Sequence, residues 1–156
     1  MPKVDIAKAV VRIKGVYPQP HRSVTDGREK AALGNVAGLT QFGVNLTRLK
    51  PGAASALRHW HEQEDEFVYV LEGELVLIED DGETVLGPGD CAGFKAGAPN
   101  GHQLVNRSQH DARYLEIGTR AATERCHYPG CDLVMERDPG GMRFLRTSGE
   151  PYPQEP

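Results

Sequence analysis

Cysteine is scarce, with three residues in a chain of 156. An odd and low count argues against a disulfide framework and fits a reducing, cytoplasmic setting. Long apolar runs are also missing. The longest, FVYVL at 67–71, has about five residues, far short of a bilayer span. The opening MPKVDIAKAV lacks the continuous apolar stretch of a secretion signal, so none is expected. No Lys/Arg cluster stands out, and acidic residues outnumber basic ones 22 to 18, which gives a nucleic-acid surface little support. There is no repeat of fixed period and no low-complexity tract. These absences leave a soluble chain too short for two cores, and its 38% apolar content is enough for one.

What is plentiful is turn chemistry. Eighteen Gly and eleven Pro divide the chain into short segments, a pattern of many strands joined by tight turns. TQFGVNLTRL (40–49) reads as a strand ending at Pro51-Gly52. Residues 66–86 read as strand, Glu72-Gly73 turn, strand, hairpin at Asp80-Asp81-Gly82, and strand. HQLVN (102–106) and ARYLEIG (112–118) complete the series. One short helix is expected at Arg28–Leu33, started by Asp26 and stopped by Gly34. This spacing predicts an all-β sandwich or barrel. Residues 1–39 read as an N-terminal arm, 40–119 as the barrel, and 120–156 as an extension packed on it, one domain in all.

The histidines carry the chemistry. His59 and His61 flank Trp60, and on a strand they project to one face. Glu66 opens the next apolar run and shares its interior face with Val68 and Val70. A carboxylate there is costly without a cation or a donor. His102 opens HQLVN and shares its face with Leu104 and Asn106. Together His59, His61, Glu66 and His102 form an N3O set that suits a divalent transition metal with open positions. Spacing alone leaves the plain alternative open: hydrogen-bonded core histidines beside a solvated charge cluster.

HWHEQEDEFVYVLEG (59–73) resembles the first cupin motif, with HxH, four residues, Glu66, six residues and Gly73. Six residues separate Gly52 from His59, one more than usual. GDCAGFKAGAPNGHQLVN (89–106) resembles the second motif through Gly89, Gly97, His102 and Asn106. Lys95 stands where a Pro is usual, and the loop before His102 is longer, with Pro99 inside it. The resemblance to small bacterial single-domain cupins implies a double-stranded β-helix, or jelly-roll, barrel with a short N-terminal helix and extended arms. It also implies one metal per chain (Fe, Mn, Ni or Zn) held by His59, His61, Glu66 and His102.

Other residues have structural readings. Asp90 is expected to cap a turn, Asn106 to hydrogen-bond inside the barrel, and Cys91 to be a buried small hydrophobe. Cys126-His127-x3-Cys131 falls one ligand short of a closed zinc site. Trp60, Phe67, Tyr69 and Leu71 face away from the ligands and need a cover, which makes a homodimer the expected assembly.

The favoured function is a metal-dependent enzyme on a small polar metabolite, of isomerase, dioxygenase or lyase type, with a sugar or sugar phosphate among the substrates. The alternatives are a non-catalytic small-molecule or metal-sensing module and a barrel with a residual metal site. Arg48, Tyr114 and Glu116 are candidate substrate-binding groups, Tyr114 or Glu116 also as acid or base. Arg58, Lys95 and Arg113 are further basic candidates for a phosphate.

Overall fold

The computed structural model describes residues 3–153, which form thirteen strands, two 3-10 turns (Ile6–Lys8 and Arg22–Thr25) and one turn of α-helix. The strands are β1 (Val11–Arg12), β2 (Arg28–Ala32), β3 (Phe42–Leu49), β4 (Trp60–His61), β5 (Glu66–Glu72), β6 (Leu75–Glu79) and β7 (Gly82–Leu86). They continue with β8 (Cys91–Phe94), β9 (Gln103–Val105), β10 (Ala112–Thr119), β11 (Glu124–His127), β12 (Val134–Asp138) and β13 (Gly141–Leu145); the helix is α1 (Leu33–Val36). A six-stranded sheet runs β1-β2-β3-β10-β5-β8, facing a three-stranded sheet β7-β6-β9, and a four-stranded sheet runs β13-β12-β11-β4. All pairings are antiparallel, as in a jelly-roll barrel.

Alternation explains the faces. In β5, Val68 and Val70 are buried, while Phe67, Tyr69 and Leu71 lie outward. Each buried valine contributes roughly 1.5–3 kcal/mol relative to exposure. They join Leu49, Leu75, Leu77, Leu86, Leu104 and Tyr114 in the core between the sheets. A second core gathers Tyr17 from the N-terminal arm with Cys126, Tyr128, Leu133, Met135 and Tyr152 from the C-terminal segment. The described part of the segment beyond residue 119 is therefore packed structure, tied to the barrel through β4.

One glycine is fixed by its neighbours. Gly73 turns between β5 and β6 at φ 77°, and a Cβ there would meet the Asp111 carbonyl at 2.6 Å. The residue that closes the first motif is thus required by both its backbone conformation and a close approach. Asp90 caps its turn, accepting from the Gly87 amide at 2.8 Å. Asn106 is fully buried and donates to the Leu49 and His110 carbonyls.

Two local expectations are corrected. Arg28–Ala32 is a strand, pairing with β1 and, over five residues, with β3. REKAA has good helix propensity, but tertiary ladder pairing on both edges outweighs it. The helical turn comes later, at Leu33–Val36; it contains Gly34 and ends before Gly38, whose φ is 70°. Cys91 is exposed, because Ala92 and Phe94 take the inward positions of β8 and leave Cys91 on the outer face.

Candidate metal centre

Backbone pairing brings the donors together. The His59 amide donates to the His102 carbonyl at 3.1 Å, and the His102 amide returns the bond at 2.9 Å. His61 is on β4, and its carbonyl accepts from the Gly97 amide of the long loop before His102. Glu66 starts β5, on the same interior face as Val68 and Val70. Its Oε2 lies 2.7 Å from His102 Nε2, 3.4 Å from His61 Nε2 and 3.5 Å from His59 Nε2. Burial opposes its charge, but the three imidazoles hold its carboxyl well below the usual range.

The surroundings orient these rings. His59 Nδ1 is 2.7 Å from the Leu57 carbonyl, which selects the Nδ1–H tautomer and turns the Nε2 lone pair toward Glu66. Phe94 stacks on His102 with centroids 3.6 Å apart. Behind His61, Nδ1 faces Glu124 at 3.8 Å and Glu64 at 4.0 Å. Burial works against protonation of His61, but Glu66 and these carboxylates raise its pKa; burial lowers that of His102. Both His61 ring nitrogens are buried without a hydrogen-bond partner. His61 Nε2, buried in that condition and aimed at the Glu66 oxygen that His59 and His102 also approach, fits a divalent transition metal and fits poorly with a plain core.

The donors line one end of a cavity of about 310 Å³. Tyr114 and Glu116 of β10 are in its wall, two and four strand positions along from Ala112 and on the Val68–Val70 face. The Tyr114 hydroxyl is buried and has no hydrogen-bond partner. Burial, then the Glu116 charge, raises its pKa well above the usual value, so the phenol keeps its proton. Glu116 Oε1 accepts from Lys30 at 2.6 Å and from Asn45 at 3.4 Å.

Of the basic candidates, Arg48 pairs with Glu29 and Asp111 and lines no part of this cavity. Arg58 pairs with Asp80, and Arg113 with Glu72. Lys95 lines a separate cleft behind His61 and His102. The cations at the mouth are instead Arg12, Lys14, Arg28 and Lys30. Their signal is alternation in VRIK and REK, which becomes legible only once β1 and β2 are known to pair. Cys126 and His127 point to opposite faces of β11: Cys126 enters the cavity wall near His59 and His61, while His127 bonds Glu62 at 2.6 Å and stacks on Trp60.

Residues 45–118 match the cupin domain. A protein of Silicibacter pomeroyi DSS-3, described as a sugar phosphate isomerase from a cupin superfamily, is 49% identical, with 97% of each chain covered and a TM-score of 0.94. A protein of Acidithiobacillus ferrooxidans ATCC 23270, provisionally named a sugar phosphate isomerase, is 28% identical, covering 86% of this chain and 85% of its own, with a TM-score of 0.76. The polyketide cyclase RemF of Streptomyces resistomycificus shares the fold at 21% identity, covering 76% of this chain and 79% of its own, with a TM-score of 0.59. No curated protein sequence matches the chain. The chain belongs to the cupin superfamily.

Proposed function

We propose that the protein is a metal-dependent isomerase of a small polyhydroxy carbonyl compound, a sugar or sugar phosphate. One divalent transition metal (Fe, Mn, Ni or Zn) is held by His59, His61, Glu66 and His102. The observation that carries this reading is the convergence of three imidazole Nε2 atoms on Glu66 Oε2, in a cavity whose wall also presents Tyr114 and Glu116. The description of the 49% identical relative as a sugar phosphate isomerase supports the substrate class. A bound metal supplies Lewis-acid polarisation of a carbonyl and its neighbouring hydroxyl.

The chain's own groups supply the proton transfers. Both protein hydrogen bonds to Glu116 fall on Oε1, so Oε2 is the oxygen that takes the proton from the carbon beside the carbonyl. That proton exchanges with water while the enediol is bound, and Oε2 then delivers one to the former carbonyl carbon. Tyr114, kept protonated by its surroundings, donates to the carbonyl oxygen and takes back the proton of the neighbouring hydroxyl. The exchange conserves every atom and uses no oxidant or reductant.

The working assembly in this reading is a homodimer, supported by the outward strip Phe67, Tyr69 and Leu71 on β5, each 39–40% exposed. A cytoplasmic setting is supported by three unpaired cysteines. Among the described residues no helix is long and apolar enough to cross a membrane. The test is incubation of metal-loaded protein with aldose and ketose phosphates and their unphosphorylated parents in deuterated water. Aldose–ketose interconversion with deuterium entering beside the carbonyl, and lost in His59→Ala/His61→Ala, is the expected result. A fully loaded wild-type protein that exchanges none of these protons overturns the reading.

A further inference from the structure

Strand register draws a straight row across the six-stranded sheet. Arg12 of β1 stands opposite Lys30 of β2, Lys30 opposite Thr47 of β3, Thr47 opposite Tyr114 of β10, and Tyr114 opposite Val70 of β5. Directly paired residues share a face, so this row runs along the inside of the barrel. It grades from apolar at Val70, through hydroxyls at Tyr114 and Thr47, to cations at Lys30 and Arg12. Lys14 lies two residues beyond Arg12 and lines the same cavity.

The N-terminal strand is set against its own hydrophobicity. In Val11-Arg12-Ile13-Lys14 the apolar residues alternate with cations, and burial alone favours turning Val11 and Ile13 inward. The structure does the reverse: Val11 is 52% and Ile13 64% exposed, while Arg12 and Lys14 take the cavity side. A one-residue slip in register exchanges the two faces of β1, so its observed pairing gives up burial of Val11 and turns Arg12 to the mouth, and Lys14 joins it from the bend just beyond the strand.

Those charges are uncompensated. Lys30 is matched by Glu116, and Arg28 donates to the Ser55 carbonyl at 2.5 Å. Arg48, Lys50, Arg58, Arg107, Arg113, Arg125, Arg137, Arg143 and Arg146 all have acidic partners. Among the described residues the side chains of Arg12 and Lys14 make no hydrogen bond or ion pair. Arg12 also lines a second lobe of about 300 Å³ that shares Lys30, Glu66 and Glu116 with the first. It therefore overlooks the space where a substrate reaching toward the histidines would leave its other end.

We propose that Arg12 and Lys14 form a phosphomonoester-binding subsite at the mouth, so that the N-terminal strand selects phosphorylated over neutral sugars. A guanidinium matches phosphate oxygens with paired N–H donors, and an ammonium adds a mobile point charge. Three strand spacings, about 14 Å, separate the backbone of β1 from that of β10. A long Arg side chain at one end and a Tyr at the other reduce that gap to one a phosphorylated sugar fills. This inference rests on the isomerase reading for the rest of the substrate, but the subsite stands on its own charges.

The test uses full-length, metal-loaded protein and inorganic phosphate as the probe, followed by titration calorimetry. Both side chains are exposed, so Arg12→Gln/Lys14→Gln keeps the fold, which its melting temperature and metal content confirm. Phosphate affinity is expected to fall about tenfold or more in the variant, and wild-type affinity to weaken as salt rises. Equal affinity in variant and wild type, or no phosphate binding by the wild type at millimolar concentration, overturns the subsite. The His59→Ala/His61→Ala protein separates the two proposals. Phosphate binding that survives there and still depends on Arg12 and Lys14 upholds the subsite even if the isomerase reading has failed. Binding lost there and indifferent to Arg12 and Lys14 places the anion at the histidines and overturns the subsite.

Discussion

His59 and His102 donate backbone hydrogen bonds to each other's carbonyls, at 3.1 and 2.9 Å, so main-chain pairing, not side-chain chemistry, sets the separation of these two imidazoles. The scaffold of the centre should therefore outlast the loss of its carboxylate. Glu66→Gln is expected to keep its far-ultraviolet circular dichroism, because the amide has the same shape. Its metal content, measured by elemental mass spectrometry after dialysis against trace metal, should fall about tenfold or more. Retention of full occupancy would remove Glu66 from the ligand set.

Tyr114→Phe separates stability from chemistry. Its hydroxyl is buried without a partner, so its removal should change unfolding free energy by less than about 1 kcal/mol, or raise it. On the proposed isomerase reading, turnover should nevertheless fall roughly 100-fold, as for loss of a proton donor, with KM little changed. A variant as active as wild type would exclude the phenol from proton transfer.

Two glycines separate a strained conformation from a collision. Gly52 and Gly73 share nearly the same backbone conformation, at φ 82° and 77°, but a Cβ on Gly52 meets nothing within 4 Å. Gly52→Ala should cost about 1–2 kcal/mol from the left-handed conformation alone. Gly73→Ala should cost clearly more, through the Asp111 carbonyl and Ala112. Urea denaturation of the two variants measures the difference, and equal losses would show that the turn after β5 yields to the methyl group.

Thiol reactivity should report burial. Cys91 is exposed, Cys131 partly exposed and Cys126 buried, and burial pushes the Cys126 thiol far up. Ellman's reagent on native protein should label Cys91 first, Cys131 more slowly, and Cys126 only on denaturation. Fast labelling of all three without denaturant would mean that β11 opens readily from β4.

The centre was legible because its signals are local. Alternation placed His59 and His61 on one face of their segment and Glu66, Val68 and Val70 on the interior face of β5, and β10 carries both Tyr114 and Glu116 on a predicted strand. The mouth was illegible for the opposite reason. REKAA at 28–32 is a good helix sequence in isolation, and only its ladders to β1 and β3 make it a strand. Without that strand Arg12, Lys14 and Lys30 belong to an arm of no evident orientation. Cys91 misled because an apolar neighbourhood in sequence says little about which side of an edge strand a residue takes. Cys126 entered the cavity wall through its pairing with His61, a contact between distant segments that no local pattern announces.

That pairing has a mechanical side. β4 is two residues long, and its sheet partner is β11, from beyond the barrel. A strand so short has little cohesion of its own, so the seat of His61 is on loan from the C-terminal segment. A chain cut after residue 119 should therefore lose the seat of His61 before it loses the barrel itself.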